Sequence, residues 1–266
     1  MDFNLFDLLI YIFSGAGVGF LIGLTGVGGG SLMTPLLILF NIPYAVAIGT
    51  DLLYASITKA GGVVMHHRQK NINWKVVSTL AAGSIPASIF TTLVLKRLFG
   101  EDSGYQSVLT TALGVMLIIT ALVLLFKTRI QAYARQHQQM DADSLHRHHR
   151  ITTFICGIML GICVTLSSVG AGAFGTAVLM MIYTRLAPRE IIGTDLAHAV
   201  PLTFIAGMSH FLVLGNVDFV LLAGLLLGSI PAVYLGTRAG SHLPEKLMYN
   251  LLATILILLG IRFALF

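Results

Sequence analysis

Charge is scarce in this chain: only 10% of its 266 residues are Asp, Glu, Lys or Arg, while 56% are hydrophobic. A water-soluble domain ordinarily devotes about a quarter of its residues to charge, so this composition excludes a conventional solvated globule. Cysteine is almost missing too. The two present, Cys156 and Cys163, stand seven apart on one apolar run, too distant along a helix to bridge, and core packing is their expected role. No Lys or Arg precedes Lys59, so the N-terminus lacks the basic region of a cleavable signal peptide and its first apolar run is expected to stay. A nucleotide-binding loop is also lacking, because Gly26-Val27-Gly28-Gly29-Gly30-Ser31 is not followed by the lysine that would reach phosphate. No motif sets a serine beside a base. An intramembrane hydrolase would have to bring Ser167 or Ser168 to His198 or His210, and the first half of the chain has no matching pair. The expectation is therefore no enzyme, no cofactor and no resident metal.

What is abundant is long apolar runs. They fall at roughly 5 to 24, 44 to 66, 74 to 95, 105 to 126, 151 to 169, 190 to 213, 217 to 237 and 246 to 264, each near the ~20 residues that cross a bilayer core. Two shorter runs, Ser31 to Phe40 and Gly175 to Tyr183, would cover only about half that thickness at ~1.5 Å per residue. The expected fold is an all-α polytopic membrane protein with eight long hydrophobic helices and two short half-helices.

The chain also says the same thing twice. The glycine segment Gly26 to Ser31 followed by Ile48-Gly49-Thr50-Asp51-Leu52 returns as Gly170-Ala171-Gly172-Ala173-Phe174-Gly175 followed by Ile192-Gly193-Thr194-Asp195-Leu196, read at an offset of 144. Gly83-Ser84-Ile85-Pro86-Ala87 returns as Gly228-Ser229-Ile230-Pro231-Ala232 at 145, so a single indel is expected. The organisation that follows is a first membrane repeat over 1–126, a polar linker over 127–150, and a second repeat over 151–266.

Charge placement sets the relation of the repeats, because cytoplasmic loops collect Lys and Arg. If each half crosses the membrane an even number of times, the loop cations divide nine to six between the two faces. If each short segment turns the chain back, giving each half an odd number of traverses, the division becomes twelve to three. The second arrangement predicts inverted repeats, both termini outside, and the Lys127 to Arg150 loop in the cytoplasm. That bias accounts for the net charge of +5 without nucleic acid. His146, His148 and His149 in the linker could bind metal, but a solvated connector is the simpler expectation.

Glycine-rich backbone at membrane depth is tolerated where it lines a cavity, since unpaired amides in lipid cost several kcal/mol each. Each glycine segment precedes a short helix, whose positive N-terminal end would face the membrane interior and suit an anion. Gly28, Gly29, Gly30, Ser31, Gly170, Gly172, Ala173, Phe174 and Gly175 are accordingly the candidate solute-binding residues, with Phe174 able to narrow or gate the site. Thr25, Ser167 and Ser168 flank the breaks as further hydroxyl donors. Gly15, Gly19 and Gly23, spaced by four, read instead as close helix packing. Asp51 and Asp195 stand inside apolar spans, where a carboxylate is costly and marks an ion or proton path; each follows Gly-Thr, which predicts a second helix break that the Asp could cap. Thr50 and Thr194 belong with them. Lys59 either neutralises an anion or snorkels to the interface, with snorkelling preferred. His198 and His210 are candidate proton handlers, and Pro86 and Pro231 candidate kinks.

At these residues the chain resembles the sulfite exporter TauE/SafE family of membrane permeases. The resemblance spans nearly the whole length: the glycine segment ending Gly-Gly-Gly-Ser, the Gly-Thr-Asp-Leu after it, and the second copy of both beyond a polar linker. It implies a bacterial inner-membrane permease for sulfite, sulfonates or related small organic or sulfur-containing anions, driven by ion gradients. Against the family pattern, Asp51 and Asp195 replace a small polar residue, and Ala171, Ala173 and Phe174 interrupt the second glycine segment. The expected function is a secondary transporter of a small anionic solute by alternating access, with proton coupling through the aspartates and the lipid bilayer as its setting. A passive anion channel and a membrane scaffold are the alternatives, and a homo-oligomer is compatible with either.

Overall fold

A computed structural model describes residues 5–25, 30–99, 103–136, 146–240 and 245–265. Among these described residues ten α-helices follow one another: α1 (Leu5–Thr25), α2 (Gly30–Leu39), α3 (Tyr44–Arg68), α4 (Trp74–Phe99), α5 (Ser103–Gln136), α6 (His146–Ser167), α7 (Ala173–Ile182), α8 (Pro188–Ser209), α9 (Phe219–Gly240) and α10 (Glu245–Leu265). Among the described residues there is no strand. The chain is an all-α, multi-pass membrane protein. Five helices are long and apolar enough to span a bilayer by length and composition, and α1, α7 and the latter part of α10 add shorter apolar stretches. The eight long runs and two short ones expected from the sequence all form, the short ones as the ten-residue α2 and α7.

Two boundaries differ from expectation. α5 does not stop near 126 but continues to Gln136, and α6 starts at His146, so both ends of the linker are helical. Polar residues with good helix propensity prolong a span past the hydrocarbon edge, where apolar content alone marks a stop. The predicted break at each Gly-Thr-Asp does not occur: α3 and α8 run straight through Asp51 and Asp195. α8 ends in a π-helical turn, His210–Leu214, closed by Gly215 at φ 70°. α4 and α9 also continue through Pro86 and Pro231.

The halves interlock instead of sitting side by side. α1 packs along α9, α4 along α6, α3 along α8 and α5 along α10. Exchanging each helix of one half for its counterpart in the other turns this set of pairs into itself. Close approach explains the glycines: a Cβ on Gly15, Gly19 or Gly23 of α1 would lie 2.2–2.8 Å from backbone atoms of α9 at Leu225, Ser229 and Val233. The α6 glycines Gly157 and Gly161 meet α4 at Leu80 and Ser84 in the same way. Lipid supplies little hydrophobic drive between helices, so such dense packing is what holds them.

This packing corrects the repeat register. Gly15 and Gly157 are equivalent, as are Gly19 and Gly161, which is an offset of 142. The same offset relates Thr34 to Thr176, whose hydroxyls make matching bonds described below. Gly28-Gly29-Gly30 therefore matches Gly170-Ala171-Gly172, and the earlier pairing of Gly26 with Gly170 is two residues out. A second indel lies between the half-helix and the Gly-Thr-Asp motif. Glycine-rich strings align in several registers with similar scores, and only the contacts select one.

The repeated motifs prove to be ties between the halves. A Cβ on Gly49 would fall 2.0 Å from the Asn216 carbonyl oxygen, and one on Gly193 2.2 Å from that of Asn71. Thr50 Oγ1 accepts the Asp218 amide at 3.0 Å, and Thr194 Oγ1 accepts the Asn73 amide at 2.9 Å. Asp218 in turn caps α9 through the Val220 and Leu221 amides, and Asn73 caps α4 through Val76. Gly and Thr of each motif thus fix the turn of the opposite half, leaving the Asp to point elsewhere.

Candidate functional site

Asp51 and Asp195 are fully buried, each turned toward the half-helix of its own repeat. Thr34 of α2 donates its hydroxyl to Asp51 Oδ2. Thr176 of α7 donates to Asp195 Oδ2 at 2.9 Å. The Asp195 carboxylate lies against the first turn of α7, where a Cβ on Gly175 would be 2.2 Å from Oδ1. The glycine at 175 is what admits it. Each carboxylate keeps one oxygen, Oδ1, without a hydrogen-bond partner among the described residues. The aspartates therefore do not cap resumed helices; they bring negative charge beside the positive ends of two short helices, which favours it by about 0.3–1 kcal/mol and up to ~2 when partly buried.

Lys59 stands between them. It does not snorkel: its side chain is 5% exposed, and Nζ donates to the Ala171 carbonyl at 2.7 Å. The ammonium is within electrostatic reach of both Asp51 and Asp195. An interface two turns away is less favourable than two carboxylates and a carbonyl close at hand, because a buried cation is tolerated when paired. Its counterpart in the second half, Thr203, folds its hydroxyl onto the Ala199 carbonyl of its own helix at 2.9 Å. One cation is thus shared by a duplicated pair of anions. The helices carrying them cross where Ser56 Oγ meets the Val200 carbonyl at 3.3 Å, and those two positions are themselves equivalent under the repeat.

The second glycine segment shapes the space around Lys59. Gly170 and Gly172 take φ of 117° and 143°, values that need glycine. Ser168 is held at φ 58° with its buried hydroxyl beside Asp51 and without a conventional partner. Gly175 and Thr176 amides close the first turn of α7 on the Gly170 and Gly172 carbonyls at 3.0 and 2.9 Å. Phe174 packs into hydrophobic clusters on either side of it. In the first half, Ser31 is buried in the first turn of α2, while Gly28 and Gly29 lie outside the described residues; Gly30 opens α2.

A cavity of about 100 Å³ leads to this centre. Gly172, Ala173 and Thr176 of the glycine segment and α7, with Asp195 of α8, form its polar end; Val123, Leu124 and Lys127 of α5 form the facing wall. The contribution of α5 was not foreseen from the sequence. Its signal is the continuation of helical propensity through Lys127 to Gln136, which carries the wall past the apolar run.

The histidines fall elsewhere. His198 Nε2 is 2.8 Å from Ser84 Oγ, and the equivalent pair in the other half is Tyr54 facing Ser229. The serine of the repeated Gly-Ser-Ile-Pro-Ala element is thereby explained as the partner of positions 54 and 198. His210 Nε2 donates to the Thr165 carbonyl at 3.0 Å. Ser167 bonds the Cys163 carbonyl at 2.7 Å. Among the described residues neither Ser167 nor Ser168 bonds a histidine. No group of three metal-ligating residues exists among the described residues.

The family model described as "Sulfite exporter TauE/SafE" matches residues 11–263. The probable membrane transporter protein YjnA of Bacillus subtilis is 36% identical over 253 residues, covering 94% of this chain and 97% of the relative. A probable membrane transporter protein of Methanocaldococcus jannaschii is 28% identical over 264 residues, 92% of each chain. One from Haemophilus influenzae is 26% identical over 275 residues, covering 96% and 97%. No solved structure matches.

Proposed function

Because the chain belongs to the sulfite exporter TauE/SafE family and is a membrane transporter, we propose that it is a secondary transporter of a small anion, a sulfur-containing oxyanion, an organosulfonate or a short organic acid. The observation that carries this reading is the cavity lined by the first turn of α7 and by Asp195, which is within electrostatic reach of Lys59. Half-helix N-termini at a cavity end are the usual device for holding an anionic group at membrane depth.

In this reading the repeats are inverted. Five helices precede the linker and five follow it, and an odd count of alternating elements reverses the second half. Both termini then face the periplasm of a bacterial inner membrane and the linker faces the cytoplasm, in keeping with the placement of Lys and Arg. The cavity beside Lys127 is the cytoplasmic vestibule. Alternating access closes it and opens the pseudosymmetric path to α2.

The test is uptake by purified protein in liposomes against sulfite, thiosulfate, sulfoacetate, taurine and small carboxylates. At least one anion is expected to accumulate against its gradient, which a passive channel cannot do. Thr176→Val is expected to lower uptake of that anion about tenfold, since losing one bond to a buried charged group costs about 1.5–3 kcal/mol. Equal rates for the wild type and this variant, or no flux of any anion, would contradict the reading.

A further inference from the structure

The centre holds its own counter-charges, and counting them constrains what can enter. With all three ionised, Asp51 and Asp195 contribute two negative charges and Lys59, buried beside them, one positive. The N-termini of α2 and α7, against which the carboxylates lie, each add roughly half a positive charge. The sum is close to zero without any solute. We propose that Asp51 and Asp195 are built-in occupants of the two anion positions, so that each negative charge admitted is matched by one proton taken onto a carboxylate, making transport an electroneutral proton and anion symport. The inference rests on the anion-transporter reading above.

Three observations point the same way. First, each carboxylate keeps Oδ1 buried and without a hydrogen-bond partner among the described residues, so each has an oxygen open to a proton. Second, Ser168, just before the second glycine segment, sets a buried hydroxyl beside Asp51 with no other partner among the described residues. A hydroxyl can donate to a carboxylate or accept from a carboxylic acid, and so serves either charge state. Third, among the described residues Lys59 donates to one carbonyl, that of Ala171, which itself lies between Gly170 and the cavity-lining Gly172. Adding a negative charge to an already balanced buried centre without a proton would leave one charge uncompensated, which costs several kcal/mol.

Other titratable groups face the pair. Lys59 and Tyr54 lie on α3, and His198 on α8 is within electrostatic reach of Lys59. His210 and His66 flank the motif glycines Gly49 and Gly193. Lys127 faces Asp195 across the cavity from α5. Of these, the aspartates are the groups bonded to the half-helices, Asp51 to Thr34 of α2 and Asp195 to Thr176 of α7.

The experiment measures solute and proton flux together in liposomes, with a pH gradient or a potassium and valinomycin potential imposed separately. For a monovalent anion, an inward gradient of one pH unit is expected to give about tenfold accumulation, since each amounts to ~1.4 kcal/mol. A potential of ~60 mV, which would give the same tenfold for one moved charge, is expected to change accumulation less than twofold. Residual uptake by Asp195→Asn is expected to lose its response to the pH gradient. Accumulation that follows the potential or a sodium gradient, or a proton count other than one per negative charge, overturns the inference while leaving an anion transporter. Absence of any anion flux overturns both. The wild-type stoichiometry decides the matter even if the variant is recovered in poor yield.

Discussion

Lys59→Met is expected to abolish solute accumulation and to lower stability by about 3–5 kcal/mol, the usual consequence of removing one partner from a buried charge group. The size of the effect follows from the lack of any duplicate. The carboxylates and their threonine donors occur twice, but position 203 is a threonine bonded to its own helix, so the equivalent position of the second half supplies no cation. Methionine keeps the length and apolar stem of lysine, which isolates charge from volume. Thermal unfolding in lipid nanodiscs would register the loss. The double variant Lys59→Met with Asp51→Asn should recover much of the stability, because one uncompensated carboxylate is removed, yet it should not recover uptake. A single variant that transports within twofold of the wild type would show that Lys59 is structural ballast.

The second large effect is expected at Gly193. Its Cβ would sit 2.2 Å from the Asn71 carbonyl oxygen and 2.8 Å from His66 Nδ1. The Asn71 turn cannot retreat, since Asn73 is bonded to Thr194 one residue further along α8. Gly193→Val should therefore prevent recovery of folded protein, a cost above ~4 kcal/mol. Thr194→Val, which keeps the volume and deletes one bond, should cost only about 1–3 kcal/mol through the orphaned amide. Gly17 is the control: a Cβ there meets nothing within 4 Å, so Gly17→Val should change the melting temperature little. If Gly193→Val melts within a few degrees of the wild type, the tie between the halves is wrongly described.

The span pattern was legible because apolar runs of bilayer length leave little choice of structure. The duplicated aspartates and glycines likewise announced themselves as repeats. What the sequence did not reveal was how Gly, Thr and Asp divide their tasks. A Gly-Thr pair before a buried Asp reads as a helix break, yet Gly49 and Gly193 exist to let a turn of the opposite half approach, and the helix never breaks. That contact joins residues more than a hundred positions apart, and no local pattern encodes it. Lys59 departs from expectation for a related reason. Snorkelling is the default for a lone lysine in an apolar span, and only the fold shows that it is bonded to the Ala171 carbonyl within electrostatic reach of two carboxylates. The register error of two residues at the glycine segments came from matching glycines to glycines, whereas Thr34 and Thr176 carry the equivalence.

The central claim is that solute occupies the first turn of α7, and protection from chemical labelling tests it most directly. In a protein with Cys156 and Cys163 replaced by alanine, Ala173→Cys places a thiol in the cavity wall. The account predicts that a membrane-impermeant maleimide reaches this thiol from the side of the linker, and that a transported anion at saturating concentration slows the reaction several-fold. An unchanged labelling rate in the presence of an anion that the same preparation transports would contradict it.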